Sequence, residues 1–424
     1  MTSLAHKIKF KLKQLAQKSL PEPASTGETA PQIEIYEATH MLGRPSGQSR
    51  PRLNLVLPTL KKEHVFGGIL TALQFFLELA GRDVDARIIL SDQHHYPEVD
   101  LDSLAGWQIG NADTEDQPGR WIIPFADRGI RTLPVRERDI FVATAWWTAY
   151  ALQRLLGWQA QHFQQNPIPL VYLVQDHEPG FYPWSTRYVL AQSTYQYDGP
   201  MIGVFNTRFL HDYFCQQGYD FSSHYIFEPQ MNSVLYGQRR QLRQLTKQRT
   251  LILYGRPGVP RNGLELVCQA VRHWSGIDPQ ARNWAIYSIG EKHGDINLHN
   301  GCKITSLGKL TLDQYTDILQ QAAIGLSLMF SPHPSYPPLE MAEFGVQTIT
   351  NTFANKNLGT LSPFIHSLDN PTPENIAALI CQFAAAYREQ PAKTIPLPDH
   401  SIFAPPGQAY PFIDELRGRL QISS

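Results

Sequence analysis

The sequence has few cysteines and almost no excess of charge. Its cysteines lie at positions 215, 268, 302 and 381 without any C-x-x-C spacing, so we expect reduced thiols in a cytosolic protein rather than disulfides or zinc ligands. Charged residues make up 18% of the 424 residues, and the formal net charge is −1. A general nucleic-acid binder carries a basic face, so this balance argues against that class of protein.

The first 20 residues lack the uninterrupted apolar run of a signal peptide or a membrane-spanning helix. Two interpretations remain open for them: a basic amphipathic segment on an anionic membrane surface, or a solvated tail. We therefore expect a cytoplasmic protein, with peripheral binding to the inner membrane face left open. Apolar residues recur there at helical spacing among lysines, namely Leu4, Ile8, Leu12 and Leu15 with Lys7, Lys9, Lys11, Lys13 and Lys18.

From residue 52 onward, short apolar runs alternate with amphipathic stretches, which predicts an α/β protein with mostly parallel sheets. A chain of 424 residues is long enough for two domains with separate cores. We predict a basic segment (1–20), a linker (21–50), two Rossmann-like domains (51–235 and 236–395) and a tail (396–424) that could pack on the first domain. Strands are expected at 53–57, 86–90, 140–143, 170–174, 201–205, 251–254, 284–289, 303–307, 324–330 and 346–350.

Residues 331–345, with the sequence SPHPSYPPLEMAEFG, predict a proline-stiffened loop and one short helix between two buried strands. Pro338 suits the first turn of that helix, and Gly345 stands where a C-terminal cap belongs. Glu340 would then lie at the carboxyl edge of a parallel sheet, where open α/β sheets bind their ligands. A carboxylate at this edge suits sugar hydroxyls, so a nucleotide or a sugar is the expected ligand.

Glycines and cations follow several other predicted strands. Gly67-Gly68 opens a helix in the first domain, and in the second domain residues 255–263, with the sequence GRPGVPRNG, connect a strand to a helix. Arg256 and Arg261 on that loop could clamp a diphosphate, because guanidinium groups present paired donors to phosphate oxygens. Lys309 follows a further strand of the same sheet. Any one of these cations alone would be interpreted as a solvated surface charge.

Asp176-His177-Glu178 follows the predicted strand 170–174 and would lie on the opposing wall of an interdomain cleft. These residues could bind a sugar acceptor, and a loop of solvated charges is an equal alternative. No metal site is expected. The acidic string Asp83-Val84-Asp85 precedes a strand and therefore faces the wrong edge of the sheet, and His94-His95 lacks a third ligand.

The order of these motifs resembles family 4 of the retaining glycosyltransferases, which have the GT-B architecture. More narrowly, the string at 65–68 (VFGG), the string at 178–184 (EPGFYPW) and residues 331–345 resemble the WsaF-type rhamnosyltransferases. The resemblance covers roughly residues 52–390. It implies transfer of L-rhamnose from dTDP-β-L-rhamnose to a growing bacterial surface glycan.

By this resemblance, Arg256 with Arg261 or Lys309 holds the diphosphate, and Glu340 binds the ribose. Tyr336 and Leu310 would line the donor pocket, and Gly67 and Gly68 would approach the phosphates. The wider family has a further glutamate eight positions before Glu340, where this chain has Pro332. His333 or an acid of the first domain could replace its sugar-facing carboxylate.

The resemblance thus implies a metal-independent, retaining rhamnosyltransferase without a cofactor. Its partners would be a nucleotide-sugar donor and a glycan or lipid-linked glycan acceptor, and a homodimer is left open. Three alternatives stay open as well: transfer of another nucleotide sugar, a GT-B epimerase, and a non-catalytic glycan-binding subunit. The epimerase would convert donor in the absence of acceptor, whereas the binding subunit would lack the cation clamp.

Overall fold

The computed structural model of the protein describes residues 33–61, 67–96, 102–404, 407 and 409–422. The basic segment predicted at 1–20 and the string at 65–66 lie outside the described residues. Residues Glu37–Ser424 form one compact unit. This unit contains two lobes, and each lobe is built around its own sheet.

The first lobe is built on an eight-stranded sheet whose neighbouring strands are all parallel. Its order is β10-β9-β8-β7-β2-β3-β5-β4, and β1 pairs with β6 in a small separate sheet. The strands are β1 (Leu42–Pro45), β2 (Arg52–Leu57), β3 (Asp85–Leu90), β4 (Gln108–Ile109), β5 (Arg120–Pro124), β6 (Thr132–Val135), β7 (Asp139–Ala143), β8 (Leu170–Val174), β9 (Met201–Asn206) and β10 (Ser223–Phe227). The helices are α1 (Gly68–Ala80), α2 (Trp146–His162), α3 (Thr186–Ser193) and α4 (Arg208–Gln216).

The second lobe contains a sheet of order β13-β14-β12-β11-β15-β16-β17, and β18 pairs antiparallel with the start of β11. Apart from β18 and the β13–β14 pair, its neighbours are parallel. The strands are β11 (Gln244–Gly255), β12 (Ala285–Gly290), β13 (Ile296–Asn297), β14 (Lys303–Gly308), β15 (Ala322–Leu326), β16 (Gln347–Asn351), β17 (Ile365–Leu368) and β18 (Ala392–Pro396). The helices are α5 (Ser233–Arg239), α6 (Leu264–Ile277), α7 (Leu312–Gln321), α8 (Pro337–Glu343) and α9 (Pro373–Ala385), and α10 (Ile413–Arg419) follows.

The apolar runs form strands because both faces of each sheet are covered. Every residue of β2, β3, β7, β8 and β9 is buried, as expected for parallel strands between helical layers. This arrangement confirms the predicted α/β class with two mostly parallel sheets. The final helix α10 packs against the first lobe, where Leu416 and Tyr410 join the cluster formed by α1 and the sheet.

Two sequence predictions differ from the structure in their extent. The stretch predicted as a linker at 21–50 contains β1, which is anchored because Arg44 donates to the Thr132 carbonyl oxygen at 2.6 Å. The strand predicted at 324–330 ends at Leu326. Beyond Leu326, the Asn351 side chain replaces a neighbouring strand as the hydrogen-bond partner of the backbone. Its Oδ1 accepts from the Met329 N–H at 2.7 Å, and its Nδ2 donates to the Met329 carbonyl oxygen at 3.1 Å.

The polar stretch before residue 250 is also more ordered than its composition suggests. β11 begins at Gln244 because β18 pairs with its first residues. Lys247 is fully buried there, and its Nζ donates to the Leu319 carbonyl oxygen at 2.7 Å. Burial lowers the pKa of Lys247 to about 7. A buried lysine inside a basic run gives no pattern that a sequence alone could reveal.

The amino edge of the first sheet holds a buried ionic network. Asp139 accepts from Arg52 at 2.8 and 2.7 Å, and Arg87 lies 3.5 Å from the same carboxylate. Arg136 joins Asp85 at 2.6 Å, so Asp85 of the acidic string at 83–85 belongs to this network. Burial raises the pKa of Asp139, but the charges of Arg52 and Arg87 outweigh this effect and hold it below its usual value.

We predict that Asp139→Asn lowers the free energy of unfolding by roughly 3–5 kcal/mol, because it leaves Arg52 and Arg87 buried without their shared counter-charge. Urea unfolding followed by circular dichroism measures the loss. Asp113→Asn is the control, because Asp113 pairs with Arg131 at the surface, where an ion pair contributes little. Equal effects of both substitutions would contradict the assignment.

Candidate functional site between the two lobes

The carboxyl edge of the second sheet is assembled through glycines at its strand ends. Gly290, at the end of β12, has a φ of +124°, and a Cβ there would lie 2.9 Å from the Gly255 carbonyl oxygen and 3.3 Å from Arg256 Cγ. At the end of β14, a Cβ on Gly308 would lie 3.2 Å from Lys292 Cβ. The loops after β11, β12 and β14 therefore meet because these positions lack side chains.

Each of these loops carries a basic residue. Arg256 is half-buried and lies beside the Tyr254 side chain. Lys309 is exposed directly after β14. Lys292 lies between them on the loop after β12, and its Nζ donates to the Ser306 carbonyl oxygen. The structure thus places Arg256 and Lys309 at one sheet edge, as predicted, and adds Lys292 to them.

Glu340 lies on α8 with its carboxyl group turned toward α7. The Tyr315 hydroxyl donates to its Oε2 at 2.8 Å. Burial raises the pKa of Glu340 to about 7, and the hydrogen bond from Tyr315 opposes this shift. The helix ends as predicted, since Gly345 has a φ of +71° and its N–H donates to the Ala342 carbonyl oxygen at 2.9 Å.

Tyr336 precedes α8 and reaches the first lobe. Its side chain lies beside those of Asn206, at the end of β9, and Thr71, on α1. Burial is the main cause that raises the pKa of Tyr336, so the phenol stays neutral. Through this side chain the loop before Glu340 is attached to the opposite lobe.

Asp176 makes the second connection between the lobes. Its carboxylate accepts from the Ser331 hydroxyl and lies 3.4 Å from Arg261 Nε. The Arg261 guanidinium also lies 4.2 Å from the centre of the Phe181 ring, a cation–π contact. The structure therefore turns Arg261 toward the first lobe, whereas Arg256 stays at the sheet edge. Asp176, predicted on the acceptor side, contacts the donor-side loops.

The other two residues predicted on the acceptor side are buried. Glu178 is 8% exposed, and its Oε2 accepts from the hydroxyls of Tyr172 at 2.9 Å and Tyr195 at 3.4 Å. Burial raises the pKa of Glu178 to about 8, so it carries a proton at neutral pH. His177 lies among aromatic rings, with Tyr213 at 5.1 Å between ring centres, and burial lowers its pKa to about 4. Their role with an acceptor stays a prediction.

His333 and Lys356 are two further buried residues of the second lobe near its boundary with the first. His333 is 7% exposed, and its Nδ1 accepts from the Ser335 N–H at 3.0 Å. Lys356 is 1% exposed, and its Nζ donates to the Met329 carbonyl oxygen at 2.6 Å. Burial lowers the pKa of Lys356 to about 7, and the nearby charge of Asp176 opposes this shift.

The remaining residues predicted on the donor side are Gly67, Gly68 and Leu310. Gly67 has a φ of +51°, and among the described residues no atom lies within 4 Å of an added Cβ. An added Cβ on Gly68 would lie 3.1 Å from Gln175 Oε1, beside Asp176. Leu310 is half-buried and packs against the core of the second lobe.

Sequence reasoning missed several residues of this site. Lys292 follows a strand and a glycine, the same signal that marked Arg256 and Lys309, and could have been found. Lys356 and Tyr315 carry no local signal, because only the packing of the loop after β16 and of α7 brings them here.

Within the described ranges, no group of three or more His, Cys, Asp or Glu side chains is arranged to hold a metal ion. Among the helices formed by the described residues, none has the length and apolar character that crossing a bilayer requires.

Two Rossmann-like lobes that meet at the carboxyl ends of their strands define the GT-B class of glycosyltransferase fold. The sequence profile of the WsaF N-terminal domain matches residues 52–208, and that of the WsaF C-terminal domain matches residues 249–381. These matches cover more than half of the chain. The chain therefore belongs to the WsaF family.

A curated relative is the O-antigen biosynthesis protein RfbC of Myxococcus xanthus. It is 33% identical over 216 residues, which are 50% of this chain and 15% of that protein, so the chain spans a small part of its length. Similar solved structures include the sucrose-phosphate synthase of Thermosynechococcus elongatus (12% identity, 88% of this chain, 94% of that chain, TM-score 0.49). Another is WaaG, a glycosyltransferase involved in lipopolysaccharide biosynthesis (11% identity, 88% of this chain, 100% of that chain, TM-score 0.49).

The expected contact of Glu340 with a ribose predicts that nucleotide binding depends on pH. With a pKa of about 7, Glu340 is mostly a carboxylate above that pH and mostly protonated below it, and the carboxylate is the stronger acceptor for hydroxyl groups. The affinity for dTDP should therefore fall roughly tenfold as the pH decreases through about 7. Isothermal titration calorimetry at several pH values measures this change.

Glu340→Gln is the matched control for this titration, because titration of the ligand phosphates affects both proteins equally. The difference in affinity between wild type and variant should be present above pH 7 and disappear below it. Parallel pH profiles for the two proteins would show that Glu340 does not titrate in contact with the nucleotide.

Proposed function

We propose that this protein is a glycosyltransferase that transfers L-rhamnose from dTDP-β-L-rhamnose to a glycan acceptor with retention of anomeric configuration. The observation that carries the proposal is the convergence of Arg256, Lys292 and Lys309 at the sheet edge that also presents Glu340. A cluster of cations suits a diphosphate, and a carboxylate beside it suits the hydroxyls of a ribose. Membership in the WsaF family supports the choice of rhamnose.

The donor-site residues would have different roles, depending on the charge of the donor group that each one contacts. Arg256 and Lys309 would bind the diphosphate, whose negative charge grows as the bond to the sugar breaks. Their stabilisation would increase toward the transition state, which accelerates the reaction. Glu340 would bind the ribose, whose charge hardly changes, so its contribution would be equal in ground state and transition state.

The acceptor would be a growing surface polysaccharide or a lipid-linked glycan. The name of the Myxococcus relative, an O-antigen biosynthesis protein, supports this class of acceptor. Asp176, His177 and Glu178 stay the proposed acceptor side, and among them Asp176 is the residue that meets the second lobe. Binding through residues 1–20 would bring the enzyme to the membrane surface that carries such acceptors.

The proposed reaction needs no metal ion, because cationic side chains would neutralise the leaving diphosphate. Arg256 presents a planar pair of donors that can hold two phosphate oxygens at once, and Lys309 adds a point charge. These groups would perform the electrostatic work that a divalent cation performs in metal-dependent transferases.

We predict that Arg256→Ala and Lys309→Ala each lower kcat by roughly 10²–10³-fold, the scale for loss of an electrostatic stabiliser of the transition state. Arg256→Lys should restore only part of the rate, because an ammonium group cannot form paired guanidinium contacts. Glu340→Gln should mainly raise the donor KM. Steady-state kinetics with dTDP-β-L-rhamnose and a glycan acceptor measures these effects.

Lys303→Ala is the control for Lys309→Ala. Lys303 begins the same strand at the opposite edge of the sheet and pairs at the surface with Asp295. Unchanged kcat in both Arg256→Ala and Lys309→Ala would refute the diphosphate clamp. Conversion of the donor without any acceptor would instead indicate an epimerase.

We also predict that turnover persists in excess EDTA and does not rise when magnesium or manganese is added. The rate of dTDP release under both conditions measures this property. Complete loss of turnover in EDTA, with recovery on addition of a divalent cation, would show that the cations of the site do not suffice.

A further inference from the structure

A cavity of about 460 Å³ lies in the second lobe, apart from the candidate site. It is lined by α5 with its flanking residues, by the end of α8 and by the segment that follows β18. We call it the arginine pocket, because Arg239, Arg240 and Arg243 line it together with the acidic residues Glu343 and Asp399. Its volume lies within the range of ligand pockets, about 300–1,000 Å³, so it can hold a small organic molecule.

The buried wall of the arginine pocket is already balanced in charge. Arg239 is 8% exposed, and its Nε lies 3.6 Å from a carboxylate oxygen of Glu343. Its Nη2 donates to the Pro398 carbonyl oxygen at 2.5 Å, and the Glu343 carboxylate accepts from the Ser401 hydroxyl at 2.8 Å. These bonds join α5, α8 and the segment after β18 into one preformed wall, so the pocket exists before any ligand binds.

The two arginines on the rim of the pocket, by contrast, have donors that the protein does not use. Arg240 is exposed, and within the part of the chain that the structure describes no residue forms a hydrogen bond or an ion pair with its guanidinium. Arg243 uses only Nη1, which donates to the carbonyl oxygens of Arg240 and Leu242 at 3.3 and 3.4 Å. Asp399 is exposed on the same rim, which therefore has two positive charges against one negative charge.

Unused guanidinium donors beside an apolar wall suit an organic phosphate. Each guanidinium can hold two phosphate oxygens at once, and Met231, Tyr236 and Leu397 give the uncharged part of such a molecule a surface to pack on. We propose that the arginine pocket binds a phosphate-bearing molecule through Arg240 and Arg243, separately from the sugar donor. A soluble organic phosphate and a phospholipid headgroup present the same chemistry to these residues. The inference does not depend on the proposed function.

The pocket lies beside both passages of the chain between the lobes. Helix α5 follows the passage from the first lobe, and residues 397–401 precede the passage back to it. A ligand held by Arg240 and Arg243 and packed against Leu397 would join these two segments. Its binding should therefore suppress local opening of residues 397–401 and slow the hydrogen exchange of their amides.

The test uses pyrophosphate as the probe and the full chain in excess dTDP, so that the proposed diphosphate clamp is occupied. The variant Arg240→Gln/Arg243→Gln should bind pyrophosphate at least tenfold more weakly than wild type, because two charge-assisted contacts are lost. The control Arg282→Gln/Arg388→Gln removes two exposed arginines outside the pocket and should bind like wild type. Calorimetric titration measures the affinities, and hydrogen exchange of residues 397–401 locates the site.

A second assay separates the two sources of phosphate. Flotation with phosphatidylcholine vesicles that contain phosphatidylglycerol should be weaker for the pocket variant than for wild type and control if a lipid headgroup is the ligand. Weaker pyrophosphate binding alone would indicate a soluble phosphate. If the pocket variant matches wild type in both assays, or if the control loses as much as the pocket variant, the arginines do not form a binding site. Failure of wild type to bind either probe would also overturn the inference.

Discussion

The buried carboxylate of Asp176 connects the two lobes at the candidate site. It follows strand β8 of the first lobe, yet its partners Ser331 and Arg261 lie on two loops of the second. Those loops are joined in turn, because the Phe330 N–H donates to the Arg261 carbonyl oxygen at 2.8 Å. A buried carboxylate that loses its partners becomes strongly unfavourable, so lobe opening must hydrate Asp176 or supply another partner. The polarity of the space between the lobes therefore varies with their separation.

Both sheets reverse their strand order where the functional groups collect. In the second lobe the reversal lies between β11 and β15, and the loops after these strands carry Arg256, Arg261, Ser331 and His333. Diverging loops open a crevice at such a point, into which side chains from both directions project. Glycines at the neighbouring strand ends let the loops that carry Arg256 and Lys292 pack closely. The strand order thus determines where the site forms, and the individual side chains then determine its chemistry.

The sequence predicted those parts of the molecule that depend on local rules. Continuous apolar runs marked the buried strands, and the proline and glycine positions around Glu340 correctly predicted a short helix with its cap. Local rules failed where a distant segment decides the outcome. β11 starts early because β18 pairs with it, and β15 stops early because Asn351 bonds to Met329. Lys356 reaches the site because its Nζ donates to the Met329 carbonyl oxygen, and no sequence pattern predicts this hydrogen bond.

The C-terminal segment adds a mechanical consequence. The chain passes from the first lobe to the second before α5 and returns to the first lobe before α10, where Tyr410 contacts Phe75. The two passages lie side by side, because the Ala404 N–H donates to the Pro229 carbonyl oxygen at 3.2 Å. Two adjacent covalent connections permit the lobes to rotate about the line through them. They resist translation of one lobe past the other. A rotation of one lobe about this line would separate the lobes most on the side opposite Ala404 and Pro229.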